Sequence, residues 1–416
     1  MDKKKLLLLS LGHLSCDVNG GALPALLPYV RSGFGLDYQA TGGLMLAYSC
    51  LSSVIQPIFG LLTDRFKQPW FIPLGILLAG LGIGAIGFMG GYWGIFMAIA
   101  VSGIGAALFH PEGARNANIV SGRSKGIGLS FFSIGGNSGF VLGPLLVTAS
   151  MACFGLAGTA LFGVLATLTA GLLLWEIVHL GGFSPKRADA GAALADAPRE
   201  GADPAAAEAD GLAAATASRP RGRNNWREFS RLTVVVVSRS ILFLVFNTII
   251  PLWCISVYGQ SAAQGGLALA FFCVCGVIFN VIGGYFSDRF GPVNIIRLSY
   301  VILPPAVIAF SLCGSVSVAY CLLPVIALSL YAPFSSLVVL GQRLLARNIG
   351  FASGVTLGLA TTMGGIFQPI LGWVADGHGL AAAIQCLAAA ALLGLIFSFR
   401  LSRRVAEEAA RAENAA

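Results

Sequence analysis

Gly60-Leu61-Leu62-Thr63-Asp64-Arg65-Phe66 and Gly284-Tyr285-Phe286-Ser287-Asp288-Arg289-Phe290 carry the same heptad pattern, and each closes a long apolar run. Upstream, Gly42-Gly43-Leu44-Met45-Leu46-Ala47 matches Gly265-Gly266-Leu267-Ala268-Leu269-Ala270, and Cys50, Val54 and Ile55 match Cys273, Val277 and Ile278. Downstream, Gly135-Gly136 with Gly143-Pro144 has its counterpart in Gly364-Gly365 with Pro369. A unit written twice predicts two similar halves related by an axis along the membrane normal.

The membrane follows from composition. The chain is 56% hydrophobic and 11% charged, with a mean hydropathy of +0.82, outside the range of soluble domains. A helix needs about 20 apolar residues to cross the hydrocarbon. Runs of that kind predict twelve spans, with cores near 6–30, 42–62, 71–89, 93–109, 126–149, 154–178, 232–258, 265–286, 293–313, 316–340, 352–375 and 380–399. The fold class expected is therefore an all-α integral membrane protein of two six-helix bundles.

The net charge of +8 does not describe a nucleic-acid face, because the basic residues fall on alternate connections. Lys3 to Lys5, Arg65 and Lys67, Arg123 and Lys125, the stretch 186–231, Arg289, Arg347, and Arg400, Arg403 and Arg404 mark one side. By the positive-inside rule both termini and the central loop are expected in the cytoplasm. The opposite connections are nearly free of Lys and Arg, Arg31 excepted. Residues 1–180 are expected to form the first bundle, 181–230 a disordered linker poor in apolar periodicity, 231–402 the second bundle and 403–416 a tail. Leu14-Ser15-Cys16 mimics a lipoprotein cleavage box, but His13 and Asp17 flank it, so an uncleaved first helix is expected. The nine cysteines lack metal-ligand spacing and read as small core hydrophobes.

The repeated Gly-x-x-x-Asp-Arg loop between spans two and three, and again between eight and nine, resembles the signature loop of the major facilitator superfamily. Gly139-x-x-x-Gly143-Pro144 in the fifth span is similar to the antiporter motif of that superfamily, without its closing glycine pair. Three segments resemble the fosmidomycin-resistance branch: Gly12-His13-Leu14 with Asp17 and Gly21-Ala22-Leu23-Pro24; Phe109-His110-Pro111-Glu112-Gly113-Ala114-Arg115; and Ser130-Phe131-Phe132-Ser133-Ile134-Gly135-Gly136-Asn137. The resemblance implies a proton-coupled exporter of small compounds, a phosphonate antibiotic being the eponymous substrate.

A charge at mid-bilayer costs about 2.5 to 3.5 kcal/mol, so each one kept needs a partner or a task. Asp17 falls near the midplane of the first span; it is either a proton carrier or one side of a static ion pair. His13 shares its face at i to i+4 spacing, as a relay or as a satisfied core histidine. Arg239 is expected at the corresponding depth of the seventh span, facing Asp17 across a shared cavity, as an anion site or as a structural Arg reaching toward water. His110, Asn137 and Asn247 are the other candidates for the substrate cavity. Glu112 and Arg115, at i to i+3, read as a relay or gate near Asp64, or as an interfacial salt bridge. Asp64, Arg65, Asp288 and Arg289 are assigned to gating, their carboxylates capping neighbouring helices when the inward side closes, or to tight turns. The Gly80-x-Gly82-x-Gly84 and Gly103-x-Gly105 runs have no preceding strand, so close helix packing is expected instead of nucleotide binding.

These readings lead to a twelve-helix carrier that moves a small anionic or amphiphilic compound outward against entering protons. The rival is uptake or exchange of an organic anion or sugar phosphate. A membrane-embedded enzyme using His13, His110 and Glu112 lacks nucleophile or metal spacing. No cofactor, metal or nucleic-acid partner is expected; the substrate, protons and the bilayer are, with the chain acting as a monomer.

Overall fold

A computed structural model of the chain describes residues 2–56, 58–59, 70–122, 125–179, 182–183, 224–348, 351–352, 354–403 and 405. Backbone groups in hydrocarbon must pair within their own segment, so the apolar runs form helices, and no strand occurs among the described residues. In chain order these are α1 (Lys3–Phe34), α2 (Tyr38–Val54), α3 (Phe71–Ala85), α4 (Tyr92–Ser121), α5 (Lys125–Phe154) and α6 (Ala160–His179). The second set is α7 (Trp226–Ser256), α8 (Ala262–Phe290), α9 (Pro292–Ser311), α10 (Val316–Tyr331), α11 (Phe334–Leu344), α12 (Ala360–His378) and α13 (Leu380–Arg400). Pro333 interrupts the tenth span, so α10 and α11 count as one, and a π-helical turn, Gly354–Leu359, opens the eleventh.

Ten helical stretches among the described residues are long and apolar enough to cross a bilayer. One of them, Phe131–His179, contains two spans joined by the turn Gly155–Thr159, and α2 is the described part of the second span, which gives twelve. Local chemistry sets the ends. Asp2 and Asp37 cap α1 and α2 by accepting Lys5 N and Ala40 N, Gly35 ends α1 in the left-handed region at φ 62°, and Ser261 with Gln264 forms a capping box on α8. The seventh helix begins at Trp226, inside the stretch expected to be linker, because Trp226 and Phe229 pack on Phe351 and Asn225 caps Glu228 N. The heptad at 60–66 and most of the linker and tail lie outside the described residues. Cys153, Cys321 and Cys386 are exposed, not in the core as expected; Cys16, Cys254, Cys273 and Cys313 are buried.

Helices α1–α6 pack among themselves, as do α7–α13, and the two bundles meet along α2 with α12 and α5 with α8. Those seams exchange under the repeat, since span two corresponds to eight and five to eleven. The repeated glycines show the same symmetry. A Cβ on Gly135 would lie 2.1 Å from the Ser10 carbonyl oxygen, and one on Gly364 2.6 Å from that of Ser240. Spans five and eleven thus rest on spans one and seven, as the repeat requires. Glycine elsewhere also serves close packing, a Cβ on Gly82 falling 2.5 Å from Ala98 O and one on Gly105 2.3 Å from Ala79 N.

The seam closes the end of the molecule opposite the termini. There Asp376 of α12 accepts Tyr38 N and Gln39 N of α2, both at 2.9 Å, and Tyr38 Oη lies 2.8 Å from Ser256 Oγ of α7. Close approach of α2 to α12 requires Gly42 and Gly372, where a Cβ would sit 2.5 Å from Gln368 O and 2.3 Å from Tyr38 O. The space left between α2, α7 and α12 is about 20 Å³, room for one water. No ion pair joins the bundles at the terminus-bearing end among the described residues.

Candidate functional site

Asp17 lies at the centre of the first bundle, buried between two imidazoles. His13 Nε2 is 3.2 Å from Asp17 Oδ2 and His110 Nε2 is 3.3 Å from Asp17 Oδ1. His13 shares the α1 face with Asp17, while His110 comes from α4. The α5 helix makes room for this group: a Cβ on Gly136 would lie 2.5 Å from His13 Nε2 and 2.7 Å from Asp17 Oδ2. The His13 ring stacks on Phe132 with centroids 4.1 Å apart, and its Nδ1 is 2.8 Å from the Phe132 carbonyl oxygen. Beneath it Leu9, Ile76, Phe109, Phe132 and Leu173 form the apolar core of this bundle.

That carbonyl decides the proton arrangement. An oxygen of this kind only accepts, so Nδ1 carries a hydrogen, and in a neutral His13 the Nε2 facing Asp17 is a bare lone pair. At 3.2 Å from a carboxylate oxygen, one further proton must lie between the two groups, either on the imidazole or on the carboxyl. The pair is therefore a one-proton store held in fixed orientation. His110 is the more accessible partner, with 27% of its side chain exposed against 9% for Asp17. Two imidazole nitrogens and a carboxylate within 4.8 Å of one another also form a donor set that a divalent cation could use.

Glu112 and Arg115 pair as their spacing predicts, through Arg115 Nε at 3.0 Å and Nη2, and Asn116 Nδ2 donates to the same carboxylate. Glu112 is fully buried under these partners. Asp64 and Arg65 lie outside the described residues, so the expected approach of Arg115 to Asp64 does too. Asp288 and Arg289 are exposed, Arg289 lying over Phe290, and the α9 N-cap is Gly291. Among the described residues, the carboxylate that caps a helix across the bundle interface is Asp376, at the other end of the molecule.

Arg239 is buried on α7, thirteen residues after Trp226, as Asp17 on α1 is fourteen after Lys3. The break at Pro333 leaves the last carbonyls of α10 without helical partners, and Arg239 Nε donates to one of them, Leu330 O, at 2.5 Å. Phe243 and Phe334 flank the guanidinium at 5.1 and 4.8 Å. Its terminal amino groups have no hydrogen-bond partner among the described residues, and neither does an acidic residue pair with it. Asn247 donates to Phe243 O at 2.7 Å and accepts from Cys273 Sγ, while Asn137 is half-buried on α5 one residue beyond Gly136.

Sequence reasoning missed two residues here. Asp376 gave a signal, being an acid at the end of an apolar span on the side with few charges. Tyr48 of α2, whose hydroxyl meets α1 beside Asp17, gave none.

Comparison with known proteins supplies the family. The Major Facilitator Superfamily profile matches residues 9–369. The fosmidomycin resistance protein of Escherichia coli (strain K12) is 28% identical over 392 residues, 94% of this chain and 91% of that protein. An uncharacterized MFS-type transporter, YfnC, of Bacillus subtilis (strain 168) is 28% identical over 395 residues, with the same two coverages of 94% and 91%. In fold, the chain superposes on a bacterial homolog of the human lysosomal transporter Spinster, inward-facing and occupied, with a TM-score of 0.76 at 16% identity, covering 96% of each chain. A peptide transporter POT in complex with alafosfalin gives 0.71 at 18% identity, over 99% of this chain and 96% of that one.

Proposed function

The chain belongs to the Major Facilitator Superfamily, and from that premise we propose that it is a proton-coupled carrier exporting small anionic or amphiphilic compounds by alternating access. It is a multi-pass membrane protein, and the basic connections favour an inner-membrane location with both termini in the cytoplasm. On that orientation the Asp376 clasp closes the outer face.

The observation that carries the reading is the single proton position between His13 and Asp17. Release of that proton leaves a lone pair against a carboxylate, a repulsive contact that the bundle relieves by rearranging. Protonation and conformation are thereby linked. A proton entering down a membrane potential of about 100 mV brings about 2.3 kcal/mol to drive a substrate the other way.

Arg239 is the anion contact in this scheme. Its Nε is held by Leu330 O and its faces by two rings, so the remaining edge presents parallel N–H donors to a phosphonate or carboxylate. His110, Asn137 and Asn247 supply further polar lining, and Glu112 with Arg115, Asp64, Arg65, Asp288 and Arg289 gate the cytoplasmic mouth. The name of the Escherichia coli relative supports a fosmidomycin-like phosphonate as the substrate type.

The test is substrate-induced proton flux in liposomes containing the purified protein, with phosphonates compared against neutral drugs across an imposed pH gradient. Counterflow of protons that requires the anionic compound is the expected result. Substrate movement with no proton movement overturns the coupling, and equal response to neutral compounds overturns the anion site.

A further inference from the structure

Asp17 has different chemistry on its two sides. His13 lies one turn nearer the terminus-bearing end of α1, and His110 meets the carboxylate from α4. One turn the other way is Gly20, where a Cβ would lie 2.7 Å from the Tyr48 hydroxyl oxygen. Glycine at that position is what lets the phenol reach α1. Tyr48 packs against the apolar cores on both sides of it, and its hydroxyl is in electrostatic reach of Asp17 and Cys16. It makes no hydrogen bond to a protein group among the described residues, and Tyr48 is only partly buried, so the hydroxyl is left to water or a transient partner.

Further polar groups lie toward the clasped end. Thr41 is seven residues, two turns, earlier on the same face of α2. It lines the 20 Å³ space at the seam together with Thr248 and Gln368, whose Nε2 donates to Thr248 Oγ1 at 3.0 Å. A single water fits there. Beyond it are Asp37 and Tyr38 at the mouth of α2.

We infer that the Tyr48 hydroxyl is the relay by which a proton from the clasped side reaches Asp17, the two histidines serving the opposite side. This rests on the proton-coupling reading above and names its entry path. In the relay the phenol oxygen accepts a proton from water on the Thr41 side and gives up its own toward Asp17, so tyrosine begins and ends neutral. The groups facing this route are Cys16, Asp17 and His13 on α1, His110 on α4, and Asp37 on α2. Tyr48 is in these terms a positioning and relay residue whose ring also fills the helix junction.

Tyr48→Phe tests the assignment because it removes one oxygen and keeps the ring. In liposomes loaded with a pH-sensitive dye, proton flux is expected to fall about 100-fold or more, the scale of a lost acid–base group. Substrate affinity should stay within about twofold, and the solvent deuterium isotope effect on flux should rise as proton transfer becomes limiting. A tyrosine that only packs would leave the isotope effect at its original value. Gly20→Ala, which crowds the hydroxyl, should slow flux in the natural protein and add little to Tyr48→Phe. Asp17→Asn separates the two levels of the argument. If it abolishes flux while Tyr48→Phe changes neither rate nor isotope effect, the relay is wrong and the coupling reading stands; if Asp17→Asn keeps full flux, both fall.

Discussion

Replacing Asp376 by Asn should open the clasped end. The carboxylate accepts two backbone N–H groups at the start of α2, Tyr38 N and Gln39 N, both at 2.9 Å, and those donors have no helical acceptor of their own. An amide keeps one acceptor oxygen and loses the other together with the charge. The lost bond is exposed, so it is worth about 1 kcal/mol, and the favourable interaction of an anion with a helix N-terminus adds about 0.3 to 1 kcal/mol. Because the contact joins the two bundles, it exists only while the seam is shut, and the whole loss of about 1 to 2 kcal/mol falls on one conformer. The ratio of open to clasped molecules should then rise about 5- to 30-fold. Pulsed electron resonance between labels on Gly91→Cys and Gly314→Cys reads this directly, in a background with the exposed native cysteines replaced. Both glycines are on connections at the clasped end, one in each bundle, and a side chain added at either meets nothing within 4 Å. An unchanged distance distribution in Asp376→Asn would refute the idea that the cap holds the seam.

Gly136→Ala should leave the protein folded but cut proton-driven flux by about 100-fold, because the added methyl must displace His13 Nε2 and Asp17 Oδ2 by an ångström or so from where they meet. Flux and thermal melting measured on the same sample separate the two effects. Arg239→Gln should weaken binding of anionic compounds by about 1.5 to 3 kcal/mol, the value of a hydrogen bond to a charged group, and leave neutral compounds unaffected; calorimetric titration of each class decides it. Binding of a phosphonate measured from pH 5 to 8 should follow the proton occupancy of the His13–Asp17 pair, and an affinity flat across that range argues against any linkage between the two sites.

Local regularities were legible in the sequence and relations between helices were not. The heptad repeat, the apolar runs and the paired glycines lead to two bundles because each is a statement about one segment and its copy. Spacing along one helix likewise brings His13 to Asp17 and Glu112 to Arg115. His110 reaches Asp17 only through the rotation and height of α4 against α1, which no spacing encodes. The start of α7 at Trp226 is likewise hidden in the sequence, with Arg227, Glu228 and Arg231 concealing its first turns. Asp376 lies outside the repeated heptads, which are on the basic side of the chain, so no repeated motif marks it.

The placement of Arg239 on α7 and Asp17 on α1, with no ion pair between them, bears on the sign of the coupling. An anion and a proton in direct contact attract, so a carboxylate site touching an anionic substrate would bind both together and carry them in the same direction. Among the described residues Arg239 makes no ion pair with Asp17, and across a separation of about 12 Å at an effective dielectric near 20 the interaction of unit charges is about 1.4 kcal/mol. Arg239 itself repels a proton at Asp17 by that amount, and an anion neutralising it removes the repulsion. Electrostatics alone therefore favours joint occupancy by up to about tenfold. Exchange in opposite directions requires the conformational term to outweigh this: the proton-loaded pair must favour one facing state, and the anion-loaded Arg239 the other, by more than about 1.4 kcal/mol between them. The clasp has the right size for such a term, since Asp376 alone contributes about 1 to 2 kcal/mol to one state. Weakening it removes stability from the clasped conformer alone, so the same substitution that opens the seam should move the carrier from exchange toward joint transport of proton and anion.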